Sequence, residues 1–327
     1  MVYYRAEKDR IVCLLCRHYC KLKEGQTGIC GVNANRNGRL ANLVYGRPAA
    51  MHIDPVEKKP LYHFLPGSAV FSLGTVGCNF RCPFCQNWRI SQSHEVAGEE
   101  VSPGTIVQAA RQRGCEAIAY TYNEPTVFYP YARDIGVIAK EAGLKNIFVT
   151  NGYESPEVIE DMADWVDGAN VDLKCWDEGY YKRALKGTLE GVKESLRLMV
   201  RAGIWVEVTT LIVPGDNDDE ATLRSIARFI AEELGSHVPW HLSAFHPDYR
   251  LTDRPPTPPE RLLEAMAIGK EAGLKYIYLG NVAFDNDTRC PACGETVVRR
   301  RGFGVATNRL AAGRCPSCGY KVEGVWS

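Results

Sequence analysis

Between residues 69 and 245 the chain alternates apolar runs with amphipathic stretches. The runs are AVFSLGT from Ala69, AIAYTY from Ala117, NIFVTN from Asn146, ANVDLK from Ala169, WVEVTTLIV from Trp205 and PWHLSAF from Pro239. Short runs of this kind, rich in aliphatic and aromatic residues, read as strands covered on both faces, and their alternation with helical segments predicts parallel βα units. A further run, YIYLGN from Tyr276, is a candidate last strand. In the helix after the fifth strand, Leu223, Ile226, Ala227, Ile230 and Leu234 share one face. Asn217 and Glu220 are placed to form its capping box and Gly235 to end it. Six or seven units in about two hundred residues are fewer than the eight of a closed barrel. The expected fold is therefore α/β, a partial, open-sided (β/α)6 TIM-like barrel with its active residues at the carboxyl ends of the strands.

Charge narrows the partners. The 327 residues carry 39 basic and 39 acidic side chains, so no net field favours nucleic acid or an anionic membrane. The opening MVYYRAEKDRIVCLLC has charges among its short apolar runs and no small-residue cleavage site, and no apolar segment is long enough to span a bilayer. A cytoplasmic protein is expected. In a reducing compartment its 13 cysteines are expected to bind metal rather than to pair, with Cys115 and Cys175, which stand apart, read as small buried hydrophobes.

The other cysteines form three sets. Cys13, Cys16, Cys20 and Cys30 lie in a glycine-containing segment that can fold round a metal centre. Cys290 and Cys293 in CPACG, with Cys315 and Cys318 in CPSCG, have the spacing of a zinc ribbon. Both tetrads are complete, so each suits a structural zinc; for the first set an auxiliary iron–sulfur cluster stays open, because thiolates serve both. The middle set differs. Cys78, Cys82 and Cys85, in CNFRCPFC, supply three thiols with no fourth nearby, which suggests a metal centre with one coordination position open. The corresponding organisation is an N-terminal four-cysteine segment over 1–67, the barrel over 68–287 and a zinc-ribbon-like module with the last four cysteines over 288–327.

The C-x3-C-x2-C pattern after the first strand, with the aromatic Phe84 before its last cysteine, resembles that of the radical S-adenosylmethionine enzymes. The resemblance implies that the three thiolates hold three irons of a [4Fe-4S] cluster, while the fourth iron takes the amino and carboxylate groups of S-adenosylmethionine. It also implies site residues beyond the cysteines. Glu124 in TYNEPT resembles the acid that binds the amino group, although Tyr122 and Asn123 stand where two glycines are more usual. Asn151 in VTNG resembles the ribose-contacting strand end. Asp172 and Lys174 in VDLK match a motif of the pyruvate formate-lyase activating enzymes, whose lysine reaches the methionine carboxylate. His246 in SAFHPDY resembles a histidine lining the nucleoside pocket.

Across CLLCRHYCKL, GICGV, DPVEKKPLYHFLPGS, TYNEPT, HLSAFHPDY and CPSCGYKVEGVW the chain is similar to the radical enzyme of the AmmeMemoRadiSam system. That implies MEMO-like and AMMECR1-like partners and a low-potential electron donor. The expected reaction is reductive cleavage of S-adenosylmethionine and abstraction of a hydrogen atom from an unidentified substrate. One alternative is activation of a glycyl-radical enzyme. Another, of a different class, is a zinc-stabilised RNA-binding or scaffold protein, suggested by the basic and aromatic run VVRRRGFG, whose arginines are otherwise read as a solvated hairpin surface.

Overall fold

The computed structural model describes residues 2–96 and 98–327. Seven strands, Ala69–Gly74, Ala117–Tyr120, Lys145–Thr150, Gly168–Asp172, Trp205–Ile212, Trp240–Ala244 and Ile277–Gly280, pair in parallel and in sequence order. Each predicted run forms a strand, and the candidate last one forms a seventh, the larger of the two expected counts. An eighth strand, Ala50–Pro55, pairs antiparallel with the first, Ala50 opposite Gly74 and Pro55 opposite Ala69. The sheet has two ends and stays open.

Helices form the crossovers between the strands. Ser102, Ser155 and Thr188 cap three of them, each accepting a hydrogen bond from a backbone N–H three residues on. The helix after the fifth strand starts at Glu220 with Asp219 as its cap, accepting from Thr222 N at 2.9 Å. This corrects the expected Asn217–Glu220 box. Asn217 is drawn inward instead, where its amide bonds the backbone N of Val213 at 2.7 Å and the carbonyls of Lys174 and Leu211. Gly235, with φ 120°, ends the continuation of that helix as expected. Cys115 and Cys175 are buried.

The two ends of the barrel carry different attachments. At the amino ends of the strands, Val56, Leu61, Phe64 and Leu65 fill the floor against Val70, Ala117 and Ile147. The C-terminal three-stranded sheet, Thr288–Arg289, Thr296–Arg301 and Gly304–Asn308, packs beneath this floor, with Val297, Val298 and Val322 against Tyr62, Tyr276 and Tyr278. At the carboxyl ends, the hairpin of Arg10–Cys13 and Lys21–Lys23 lies against the third-strand loop. There Cys16 forms a bridge with Glu154 and Arg17 N bonds the Tyr153 carbonyl.

Arg300 corrects the expectation of a solvated basic surface. It is buried, its guanidinium lies 4.4 Å from the Tyr62 ring centroid, and it bonds the Tyr62 carbonyl at 2.6 Å and Thr288 Oγ1 at 2.8 Å. Glu57 faces it at 3.6 Å in an ion pair shielded from water. A basic run within an alternating strand thus uses its middle residue to join the module to the barrel.

Candidate functional site

The first parallel strand leads into a turn that Asn123 holds from the second. Its Oδ1 accepts from Thr75 N at 3.0 Å and its Nδ2 donates to the Gly77 carbonyl at 2.8 Å. Gly77 has φ 88°, and a Cβ there would stand 2.7 Å from the Cys30 carbonyl oxygen, so only glycine lets the first cysteine segment approach this turn. The cysteine loop starts at the next residue. Phe80 N donates to Cys78 Sγ at 3.3 Å, and Arg81 donates to the Cys78 carbonyl at 2.7 Å.

Cys78, Cys82 and Cys85 line one cavity of about 320 Å³ at the carboxyl ends of the strands. Phe84, Glu124, Asn151, Asp172 and Lys174 line it too. His246 is not among its lining residues: it is exposed, with Nε2 3.0 Å from the Gln86 amide nitrogen, and Gln86 is the side chain that faces the cavity. Tyr122, held at φ 71°, also lines the cavity and donates to Asp54 at 2.7 Å. Burial opposes the Asp54 charge, yet hydrogen bonds from Lys59, Lys58 and Tyr122 hold its carboxyl well below the usual range. The wall beside Tyr122 is therefore a fixed charge cluster.

Asp172 ends the fourth strand, and Lys174, two residues on, pairs with it at 2.6 Å. Burial disfavours the ammonium, but the Asp172 and Cys82 charges overcome it and raise the Lys174 pKa. The lysine is thus a retained cation beside the thiols, 5.9 Å from the Phe84 ring.

Glu124 accepts from Thr126 N at 3.0 Å, Thr126 Oγ1 at 2.6 Å and Asn151 N at 2.8 Å. Thr150 Oγ1 lies 2.9 Å from Glu124 and 2.5 Å from Glu154. One hydroxyl has one proton, so it cannot donate to both carboxyl groups; one of them must itself be protonated. The donors gathered on Glu124 assign that proton to Glu154, whose other oxygen is buried without a partner. Burial raises the Glu124 pKa against those donors, and burial together with the Glu124 charge raises that of Glu154. Sequence reasoning missed Glu154, because YESP reads as the approach to a helix, and Ser155 does cap one. It also missed Asn79, whose Oδ1 accepts from the Asn151 amide at 2.7 Å, joining the cysteine loop to the third strand.

The three sets differ in metric. In the C-terminal set, four Sγ atoms lie within 4.8 Å of one another, with Cys290–Cys318 at 3.6 Å and Cys293–Cys315 at 3.7 Å. A zinc–sulfur bond of about 2.3 Å puts tetrahedral thiolates about 3.8 Å apart, so this set fits one ion. Among the described residues it alone converges in this way; neither the Cys78, Cys82, Cys85 triad nor any three of Cys13, Cys16, Cys20 and Cys30 draw together within that span. Three thiols spread round a cavity, with a cation and a carboxylate facing them, fit a polynuclear cluster with an open position better than a closed single-ion site.

A parallel open barrel with such a triad after its first strand defines a radical S-adenosylmethionine enzyme, and the family profile of the radical SAM superfamily matches residues 72–230. Residues 72–230 form a radical SAM domain of this superfamily, whose members use a [4Fe-4S] cluster and S-adenosylmethionine with an electron-donating reductant. The chain is 44% identical to the uncharacterized protein MJ0808 of Methanocaldococcus jannaschii, over 99% of this chain and 98% of the relative. It is 29% identical to MJ1227 of the same organism, which bears the provisional name of a glycyl-radical enzyme activating enzyme, over 48% of this chain and 66% of that one. The crystal structure of Streptococcus suis SuiB bound to S-adenosylmethionine superposes with a TM-score of 0.50 at 12% identity, covering 69% of this chain and 52% of that one, a likeness of fold. No helix among the described residues is long and apolar enough to cross a membrane.

Proposed function

We propose that the protein cleaves S-adenosylmethionine reductively and abstracts a hydrogen atom from an organic substrate or a partner polypeptide. The observation that carries this reading is the opening of three thiols, and no fourth, into a cavity that also presents Glu124, Asp172 and Lys174. When bound, a [4Fe-4S] cluster supplies the electron that breaks the sulfonium carbon–sulfur bond. Cys78, Cys82 and Cys85 would hold the cluster. Glu124, fixed by its donors, would bind the ammonium of S-adenosylmethionine, and Lys174 its carboxylate once it turns from Asp172. Phe84 and Asn151 close the sides of the cavity. His246 would have to swing past Gln86 to meet the nucleoside.

A glycyl-radical enzyme as the target is the second reading, favoured by the name borne by MJ1227. The finer assignment to the AmmeMemoRadiSam system, with MEMO-like and AMMECR1-like partners, rests on the motif likeness. The C-terminal tetrad would hold zinc, supported by its sulfur spacing, and the division into 1–67, 68–287 and 288–327 is supported by the separate three-stranded sheets near the two ends of the chain, with Ala50–Pro55 of the first segment pairing into the barrel sheet. The 13 cysteines, read as metal ligands and buried thiols rather than disulfides, support a cytoplasmic location.

Anaerobically reconstituted, reduced protein given S-adenosylmethionine is expected to form 5′-deoxyadenosine, and Cys82→Ala none. Product in both, or in neither despite an assembled cluster and a low-potential reductant, would overturn the reading.

A further inference from the structure

The cavity at the triad does not account for the four cysteines near the start of the chain, and three observations bear on them. The first is position. The Cys16 backbone forms a β-bridge with Glu154, and His18 Nε2 lies 3.0 Å from the Asn79 carbonyl oxygen, next to Cys78. Arg81 bonds both the Cys78 carbonyl and the carbonyl of Ile29, which precedes Cys30. With the Cys30 backbone seated on Gly77, the first set and the triad flank the same few residues.

The second observation is metric, and the other two sets calibrate it. Where the chain builds a one-ion site, at Cys290, Cys293, Cys315 and Cys318, the sulfurs converge to 3.6 and 3.7 Å. The three triad sulfurs do not all come within 4.8 Å of one another, in keeping with thiolates held by different metal atoms. The first set follows the triad and not the ribbon: no three of its sulfurs converge to 4.8 Å among the described residues. Yet the four belong to one local fold. Cys13 N bonds the Cys20 carbonyl at 3.0 Å, and a Cβ on Gly28, two residues before Cys30, would stand 3.4 Å from Cys20 Sγ.

The third observation is the surroundings. Cys13, Cys16 and Cys30 are buried, whereas Cys293 and Cys318 of the ribbon are exposed. The buried Asn33 amide lies 3.5 Å from Cys30 Sγ and donates to it, the kind of hydrogen bond to sulfur that tunes an iron–sulfur centre. Cys20 is half-buried and Ile29 exposed, so the set stands between the triad and the protein surface.

The geometry points to Cys13, Cys16, Cys20 and Cys30 as the ligands of a second, fully cysteine-ligated iron–sulfur cluster of the [4Fe-4S] class, adjoining the triad across residues 77–81. This rests on the triad holding a cluster of its own, as the proposed function requires. A complete tetrad offers no place for S-adenosylmethionine, so the two centres differ in kind: one closed and facing the surface, one open and facing the cavity.

Metal content tests this without any assay of turnover. Whole protein reconstituted with iron and sulfide is compared with the triad variant Cys78→Ala/Cys82→Ala/Cys85→Ala and with Cys16→Ala/Cys30→Ala. The parent is expected to hold about eight irons per chain and each variant about four. The reduced triad variant is expected to keep a cluster EPR signal, and the reduced parent to show broadening from spin coupling that both variants lose. A triad variant with no iron and two zinc ions would overturn the inference. Should the triad variant not fold, Cys16→Ala/Cys30→Ala decides alone, and an iron content equal to the parent's would overturn it. Failure of the proposed function reads differently, as both centres filled and no 5′-deoxyadenosine.

Discussion

The chain carries two cysteine tetrads, one at each end of the same barrel. The C-terminal one draws its sulfurs to single-ion distance under the floor, and its strands bury Arg300 against Tyr62 and Glu57. The N-terminal one does not bring three of its sulfurs within 4.8 Å of one another, sits at the carboxyl ends of the strands and leans on the loop of Cys78. Ligand number is equal in both. Location and spacing separate a module that covers the barrel floor from a segment that lies beside the triad; in such barrels the carboxyl end carries the reaction and the other end carries stability.

Substitutions at the two ends should therefore fail in different ways. The largest effect is expected at the triad: Cys82→Ala should abolish 5′-deoxyadenosine formation while leaving the thermal unfolding of the apoprotein near that of the parent, checked by product analysis and calorimetry. At the floor, Arg300→Ala leaves the Glu57 carboxylate buried without its cation, at a cost of about 3–5 kcal/mol. Denaturant unfolding should register that loss, with iron content unchanged. Lys174→Met removes the ammonium beside Asp172 and should weaken S-adenosylmethionine binding by about 1.5–3 kcal/mol, the worth of a hydrogen bond to a charged group, measured by titration calorimetry on the reconstituted protein.

The last expected effect is a slope of stability against pH, and it concerns Glu154. Its folded pKa is raised, from 4.5 in the unfolded chain to about 8, so the folded state holds a proton that the unfolded state has lost across that interval. Stability from this group is fully present below the unfolded pKa and falls as pH rises toward 8. Glu154→Gln, neutral at every pH, should flatten the decline by up to one proton, read from unfolding free energies at a series of pH values.

Much of this was legible beforehand, for identifiable reasons. Strands buried on both faces, such as Ala117–Tyr120, are continuous apolar runs, so all seven parallel strands stood out. Ala50–Pro55 did not, since as an edge strand it exposes Met51, His52 and Ile53 and has no uninterrupted apolar face. The triad was legible because its spacing is local. Glu154 was not, because its meaning depends on Thr150 standing between it and a glutamate 30 residues away, a relation that only the folded sheet creates. Arg300 was hidden by its neighbours, as alternation along a strand turns Arg299 and Arg301 outward and the middle arginine in.

The central claim is that the triad leaves one coordination position open to the cavity. The most direct test is the EPR spectrum of the reduced Cys16→Ala/Cys30→Ala protein, recorded with and without S-adenosylmethionine labelled with nitrogen-15 at its amino group. A shift of the cluster signal on addition, with hyperfine coupling to the labelled nitrogen, is the predicted result. A cluster that assembles at Cys78, Cys82 and Cys85 yet shows neither change would contradict the account.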